Sequence, residues 1–154
     1  MSGAAVATAA TVAQVPGAQV KKRPVVGRLK VAKPMDGKIA AIASANGVPP
    51  KLAVAIVRIE SGYNPRAANG GALGLMQIKP RTAAGVGFHG GAGALLDADV
   101  NLRFGMRYLA QAYRAAHGDT CGTVMRYQSG LYATYFSGAN RAYCAKARSI
   151  MASL

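Results

Sequence analysis

Acidic residues are scarce in this chain of 154 residues. Asp36, Glu60, Asp97, Asp99 and Asp119 stand against 19 Lys and Arg, for a formal net charge of +14. Any carboxylate chemistry is therefore confined to four aspartates and a single glutamate. Cysteine is nearly missing too: Cys121 and Cys144 form no CxxC, which argues against zinc and thioredoxin chemistry and leaves buried thiols, a redox pair or one disulfide open. The two histidines, His89 and His117, belong to no ligand-spaced cluster, so neither a metal nor a cofactor is expected. No apolar run approaches the roughly 20 residues that cross a bilayer. The first 20 residues also lack the basic start and leucine-rich stretch of a secretion signal.

What is abundant is positive charge, and a polyanionic partner follows from it. Nucleic acid and a bacterial cell wall, with its stem-peptide carboxylates, both qualify. No stacking-aromatic or recognition-helix pattern accompanies the basic residues, so nucleic acid is not the expected partner. At 51% apolar residues the chain can bury one sizeable core.

Residues 1–33 read as a disordered leader, first rich in Ala, Val, Thr and Gly, then basic, with Lys21, Lys22, Arg23, Arg28, Lys30 and Lys33 set among prolines. A folded domain is expected over 34–154. Met35, Ile39 and Ile42 mark one amphipathic helix that stops near Gly47. Leu52, Ile56 and Ile59 mark a second, opened by Pro49 and Pro50 and closed by Gly62. Residues 63–78 hold an Asn-Pro pair and several glycines and read as an irregular loop, with a helical turn following at 80–84. Asp97 or Asp99 can cap a long helix, expected at the core, in which Val100, Phe104, Met106, Leu109 and Tyr113 recur. Helical patterns at about 121–128 and 139–153 complete an all-α domain of five or six helices with no convincing strand. The string Gly85-Val-Gly-Phe-His-Gly90 fits GxGxxG but lacks the flanking strand and helix of a dinucleotide site.

Glu60 falls in the last turn of the second helix, where the exposed carbonyls oppose ionisation of a nearby carboxylate. If apolar neighbours also desolvate it, the carboxyl stays protonated near neutrality and can donate to a leaving oxygen, as a glycosidase general acid must. Alone, a glutamate at a helix end reads as a solvated surface charge. Its context changes that reading. Arg58-Ile-Glu-Ser-Gly-Tyr-Asn-Pro65, Gly74-Leu-Met-Gln-Ile78 with Pro80, Asp99-Val-Asn-Leu102 with Gly105, Tyr108 and Leu109, Tyr127-Gln-Ser-Gly130, and finally Arg141 and Tyr143 occur in one order. In these strings the chain resembles the soluble lytic transglycosylases from about Pro34 to Arg148. That family has a goose-lysozyme-like catalytic domain.

The resemblance implies that Glu60 protonates the β-1,4 glycosidic oxygen between N-acetylmuramic acid and N-acetylglucosamine in peptidoglycan. The same carboxylate then takes the proton of the muramic acid C6 hydroxyl, which closes a 1,6-anhydro ring without consuming water. One carboxylate can suffice because an intramolecular hydroxyl replaces water and the 2-acetamido group stabilises C1. The resemblance also implies a hydrogen bond from Tyr143, by itself an ordinary core tyrosine, to Glu60. It puts Met76 and Gln77 on the glycan cleft and Leu75 and Ile78 in the core. Ser61 is expected to bond the glutamate carboxyl or the backbone, and Tyr127 and Gln128 to shape the cleft. Gln128 stands where the family usually has Asn, Asn69 where Ser is frequent, Lys79 where Met is frequent and Cys144 where Val is usual. A wall enzyme works in an oxidising, periplasmic or otherwise extracytoplasmic compartment, where Cys121 and Cys144 would form a disulfide. The chain is expected to act as a monomer. A muramidase that uses water, and a non-catalytic glycan-binding module, are the alternatives.

Overall fold

The computed structural model describes residues 33–154. The leader expected over 1–33 lies, apart from its last residue, outside the described residues. Six α-helices follow: α1 (Pro34–Ala45), α2 (Pro50–Ser61), α3 (Pro80–Ala84), α4 (Ala98–Ala115), α5 (Thr120–Ser129) and α6 (Gly138–Ser153).

The helix ends are set by local chemistry. Pro34, Pro50 and Pro80 sit at first-turn positions, where a missing N–H costs nothing. Asp97 Oδ1 accepts from the N–H groups of Asp99 and Val100 at 2.9 and 3.0 Å and opens α4. Asp119 accepts from Gly122 N–H at 2.5 Å and opens α5. Asp99, the other expected cap, instead pairs with Lys38 of α1. At α6, Ser137 Oγ accepts from Asn140 N–H while Asn140 Oδ1 accepts from Ser137 N–H, a reciprocal capping box. α2 stops at Gly62, whose φ of 58° is in the left-handed region.

α4 lies at the core, as expected, and α2 carries the longest unbroken buried run. Leu52 to Val57 are all buried, because α1 and α6 cover its flanks. α4 instead carries two apolar faces. Leu102, Met106 and Leu109 join the main core with α2, α5 and α6. Val100 and Phe104 join a smaller cluster of Ile78, Ala83, Phe88 and Leu95 beneath the loop lobe. The expectation of no strand is corrected at one place. Residues 68–69 (β1) and 72–73 (β2) pair antiparallel in a minimal hairpin, turned by Gly70 and Gly71, both at positive φ. Residues 92–96 form a 3-10 helix that no periodicity announced.

Asn101 on α4 anchors the loop lobe. It is fully buried, its Nδ2 donates to the carbonyls of Leu73 and Leu95 at 2.7 and 2.8 Å, and its Oδ1 accepts from Met76 N–H at 2.8 Å. A side chain at Gly74, which has φ 74°, would collide with this amide, so the close approach requires glycine. Cys121 of α5 and Cys144 of α6 form a disulfide, with Cα atoms 5.2 Å apart.

Candidate active site

Between the loop lobe and the helical lobe lies a cleft of about 420 Å³, with Glu60 among its lining residues. The side chain arrives there because α2 is capped by Gly62 immediately beyond it, leaving the carboxyl on the last turn. The loop lobe contributes Gln77, Lys79, Asn69 and Thr82 to its lining, and the helical lobe contributes Tyr108, Tyr127, Gln128 and Tyr143.

Glu60 is half-buried. Its Oε1 accepts a hydrogen bond from Tyr143 Oη at 2.7 Å. Burial pushes the Glu60 carboxyl above the ordinary glutamate range, and the Tyr143 hydrogen bond opposes that shift without cancelling it. The direction is the one expected from sequence, with desolvation as its main cause. Tyr143 itself is driven far up by burial and by the Glu60 charge, so it stays a neutral donor. Tyr127 is buried, also raised by burial and by Glu60, and its Oη donates to Met76 O at 2.7 Å, tying the two walls together.

Five of the expected residues therefore meet on one cleft: Glu60, Gln77, Tyr127, Gln128 and Tyr143. Two do not. Met76 was expected against a sugar face, but its side chain is fully buried in the core. The physical reason is Gly105 on α4: a Cβ there would come within 2.6 Å of the Met76 sulfur, so the glycine leaves the space that the thioether fills. Ser61 bonds the backbone, donating to Val57 O at 3.2 Å, and does not line the cleft. Gln77 has φ 47°, and its Nε2 donates to the carbonyls of Ala67 and Gly74, both at 3.0 Å. Leu75 and Ile78 are core, as expected.

Thr82, Tyr108 and Gly130 on the walls, and Asn140 behind them, were not foreseen as site residues. Asn140 is buried, and its Nδ2 donates to Gln128 Oε1 at 2.6 Å and Ser129 Oγ at 3.1 Å. The Ser137-x-x-Asn140 spacing was the available signal. None of the chain's other carboxylate side chains reaches the cleft. Asp36 is buried against Arg58 at 3.2 Å and accepts from Tyr63 Oη at 2.5 Å, and the remaining three cap or flank helix starts.

A small helical domain with a cleft between two lobes is the framework of the lysozyme-like fold. The family model described as the transglycosylase SLT domain matches residues 38–148. The chain belongs to this family. The soluble lytic murein transglycosylase of Escherichia coli K12 is 33% identical over 94 residues, covering 56% of this chain but only 15% of that protein. Among solved structures, an inactive mutant of the lytic transglycosylase Slt from Pseudomonas aeruginosa superposes with a TM-score of 0.69. It is 24% identical, with 77% of this chain and 24% of the other covered. The 70 kDa soluble lytic transglycosylase of E. coli gives 0.58 at 26% identity, covering 75% of this chain and 19% of the other. The chain thus spans a small part of the length of these relatives.

Proposed function

We propose that this chain is a peptidoglycan lytic transglycosylase, cleaving the β-1,4 bond between N-acetylmuramic acid and N-acetylglucosamine with release of a 1,6-anhydromuramic end. The observation that carries the reading is the state of Glu60: a lone cleft carboxyl, raised by burial and held by the neutral Tyr143. A carboxyl so placed keeps its proton to higher pH than an ordinary glutamate, the direction a donor to a glycosidic oxygen needs. After the C–O bond breaks and the N-acetylglucosamine side leaves, the same group is a carboxylate facing the C6 hydroxyl of the muramic acid whose C1 has lost its leaving oxygen. It takes that proton, the C6 oxygen bonds to C1, and Glu60 is again protonated. The proton given equals the proton recovered, and no second carboxylate is called for.

The remaining residues have supporting roles in this scheme. Tyr143 orients the Glu60 carboxyl, Tyr127 fixes the wall position, and Gln77 and Gln128 offer amide groups to sugar substituents. No residue of the site is assigned to a cofactor or metal. Residues 1–33 form a basic leader outside the catalytic unit at 34–154. Its positive charge suits the anionic surface of a wall reached in the periplasm or another extracytoplasmic space. The chain acts as a monomer.

Purified peptidoglycan digested with the wild-type chain and analysed by mass spectrometry tests the reading. Anhydromuropeptides are the expected products. Reducing muramic ends would make the chain a muramidase, and no products at all would leave a glycan-binding module.

A further inference from the structure

We propose that Asn140 is a positioning residue that fixes the polarity of the Gln128 amide, so that this wall of the cleft presents N–H donors and selects a substrate carbonyl oxygen, that of an N-acetyl group. The inference deepens the proposed function and rests on the same cleft being a glycan site.

The orientation follows from a group that can only donate. Ser137 N–H lies 3.0 Å from one end of the Asn140 side-chain amide, so that end is the oxygen. The Ser137 hydroxyl donates to the same oxygen at 2.8 Å. The other end of Asn140 is then the NH2 group, which has hydrogens to give and accepts nothing. It lies 2.6 Å from the Gln128 amide, whose facing atom must accordingly be Oε1. One backbone N–H thus settles the orientation of two successive amides. Gln128 is left with its Nε2 hydrogens unspent, on an exposed side chain that lines the cleft. Asn140 itself is 1% exposed, so it acts through Gln128 and not on the substrate.

The amide that the loop lobe contributes to the same cleft is set the other way. Gln77 Nε2 is committed to two backbone carbonyls, which can only accept, so its Oε1 remains as an acceptor. A donor from one lobe and an acceptor from the other match the two ends of a secondary amide. An acetamido group has both, whereas the free amine of a de-N-acetylated sugar has no carbonyl for Gln128.

The substitution Asn140→Asp separates this role from a merely structural one. Aspartate keeps the acceptor for Ser137 and suits a helix first turn, so α6 stays capped. It offers Gln128 no hydrogen, and the amide must turn its NH2 group toward the new carboxylate and its oxygen toward the cleft. The probe is the tetramer of N-acetylglucosamine against the same oligosaccharide partly de-N-acetylated. Binding to the full chain carrying Glu60→Gln is compared with binding to that chain also carrying Asn140→Asp. Preference for the acetylated probe is expected to fall about tenfold, the effect of one hydrogen bond, in protein that remains folded by circular dichroism. Gln128→Glu should reproduce it. Equal weakening toward both probes, an unchanged preference, or no binding of either probe before Asn140 is altered would overturn the proposal. Cleavage plays no part in the readout, so failure here and failure of the transglycosylase reading are distinguishable.

Discussion

Two carboxyl groups flank the same helix, and their surroundings differ in one respect. Asp36 is buried at the start of α1 and meets Arg58 from α2, with Tyr63 Oη and Lys33 N–H completing its shell. Glu60, two residues beyond that arginine, is half-buried and meets only a neutral phenol. Burial with a cation makes an ion pair that fastens two helices. Burial without one makes a carboxyl that keeps its proton to higher pH than usual. Chemistry at this end of α2 comes from the missing partner, since burial is common to both groups.

The sharpest way to break the comparison is to remove the acid itself. Glu60→Gln should lower the rate of peptidoglycan cleavage by at least about 100-fold, the usual contribution of a general acid, in a turbidity or product-release assay. Its stability should move in the opposite direction. A carboxyl raised in the folded state binds a proton that the unfolded chain has already released. Stability of the wild type therefore falls as pH rises from the ordinary glutamate range through the raised folded value. The Gln variant lacks that loss, so it should match the wild type in acid and melt higher at neutral pH.

Cutting the covalent tie tests the wall that holds Tyr143. Replacing Cys121 and Cys144 by Ser should cost about 3 kcal/mol in denaturant unfolding, from a loop of this length. Asp36→Asn removes the charge from the other site and should cost about 1–3 kcal/mol, the range for a buried group left poorly partnered, with the cleavage rate per folded molecule retained. The smallest effect is expected at Tyr143→Phe. It removes the hydrogen bond that lowers the Glu60 value, so the protonated form should persist to higher pH. The alkaline limb of the rate profile should move upward, while the maximum rate falls about tenfold as the carboxyl loses its orientation.

The parts of this architecture legible in sequence were those with a local cause. Pro34, Pro50, Asp97, Asp119 and Gly62 set helix ends through causes confined to a single turn, and those ends were found within about two residues. The Glu60–Tyr143 contact was legible only through the family resemblance, because it spans 83 positions. The hairpin at 68–73 was missed because strands of two residues carry no alternation to read. Met76 was misplaced for a different reason. Whether its thioether faces glycan or core depends on the empty space at Gly105, on another element, and no pattern near residue 76 records that space. Asn140 escaped because a buried amide that orients another side chain looks, in sequence, like any polar residue in a first helical turn.

Glu60 is the chain's only glutamate, which gives the central claim a direct readout. Labelling the protein with glutamate carrying 13C at the carboxyl carbon leaves one protein resonance, whose titration reports Glu60 alone. The expected midpoint lies above the ordinary glutamate value of about 4.3, rising further in Tyr143→Phe. A midpoint at or below that value would mean that burial does not raise the Glu60 carboxyl, and would contradict the reading of its environment.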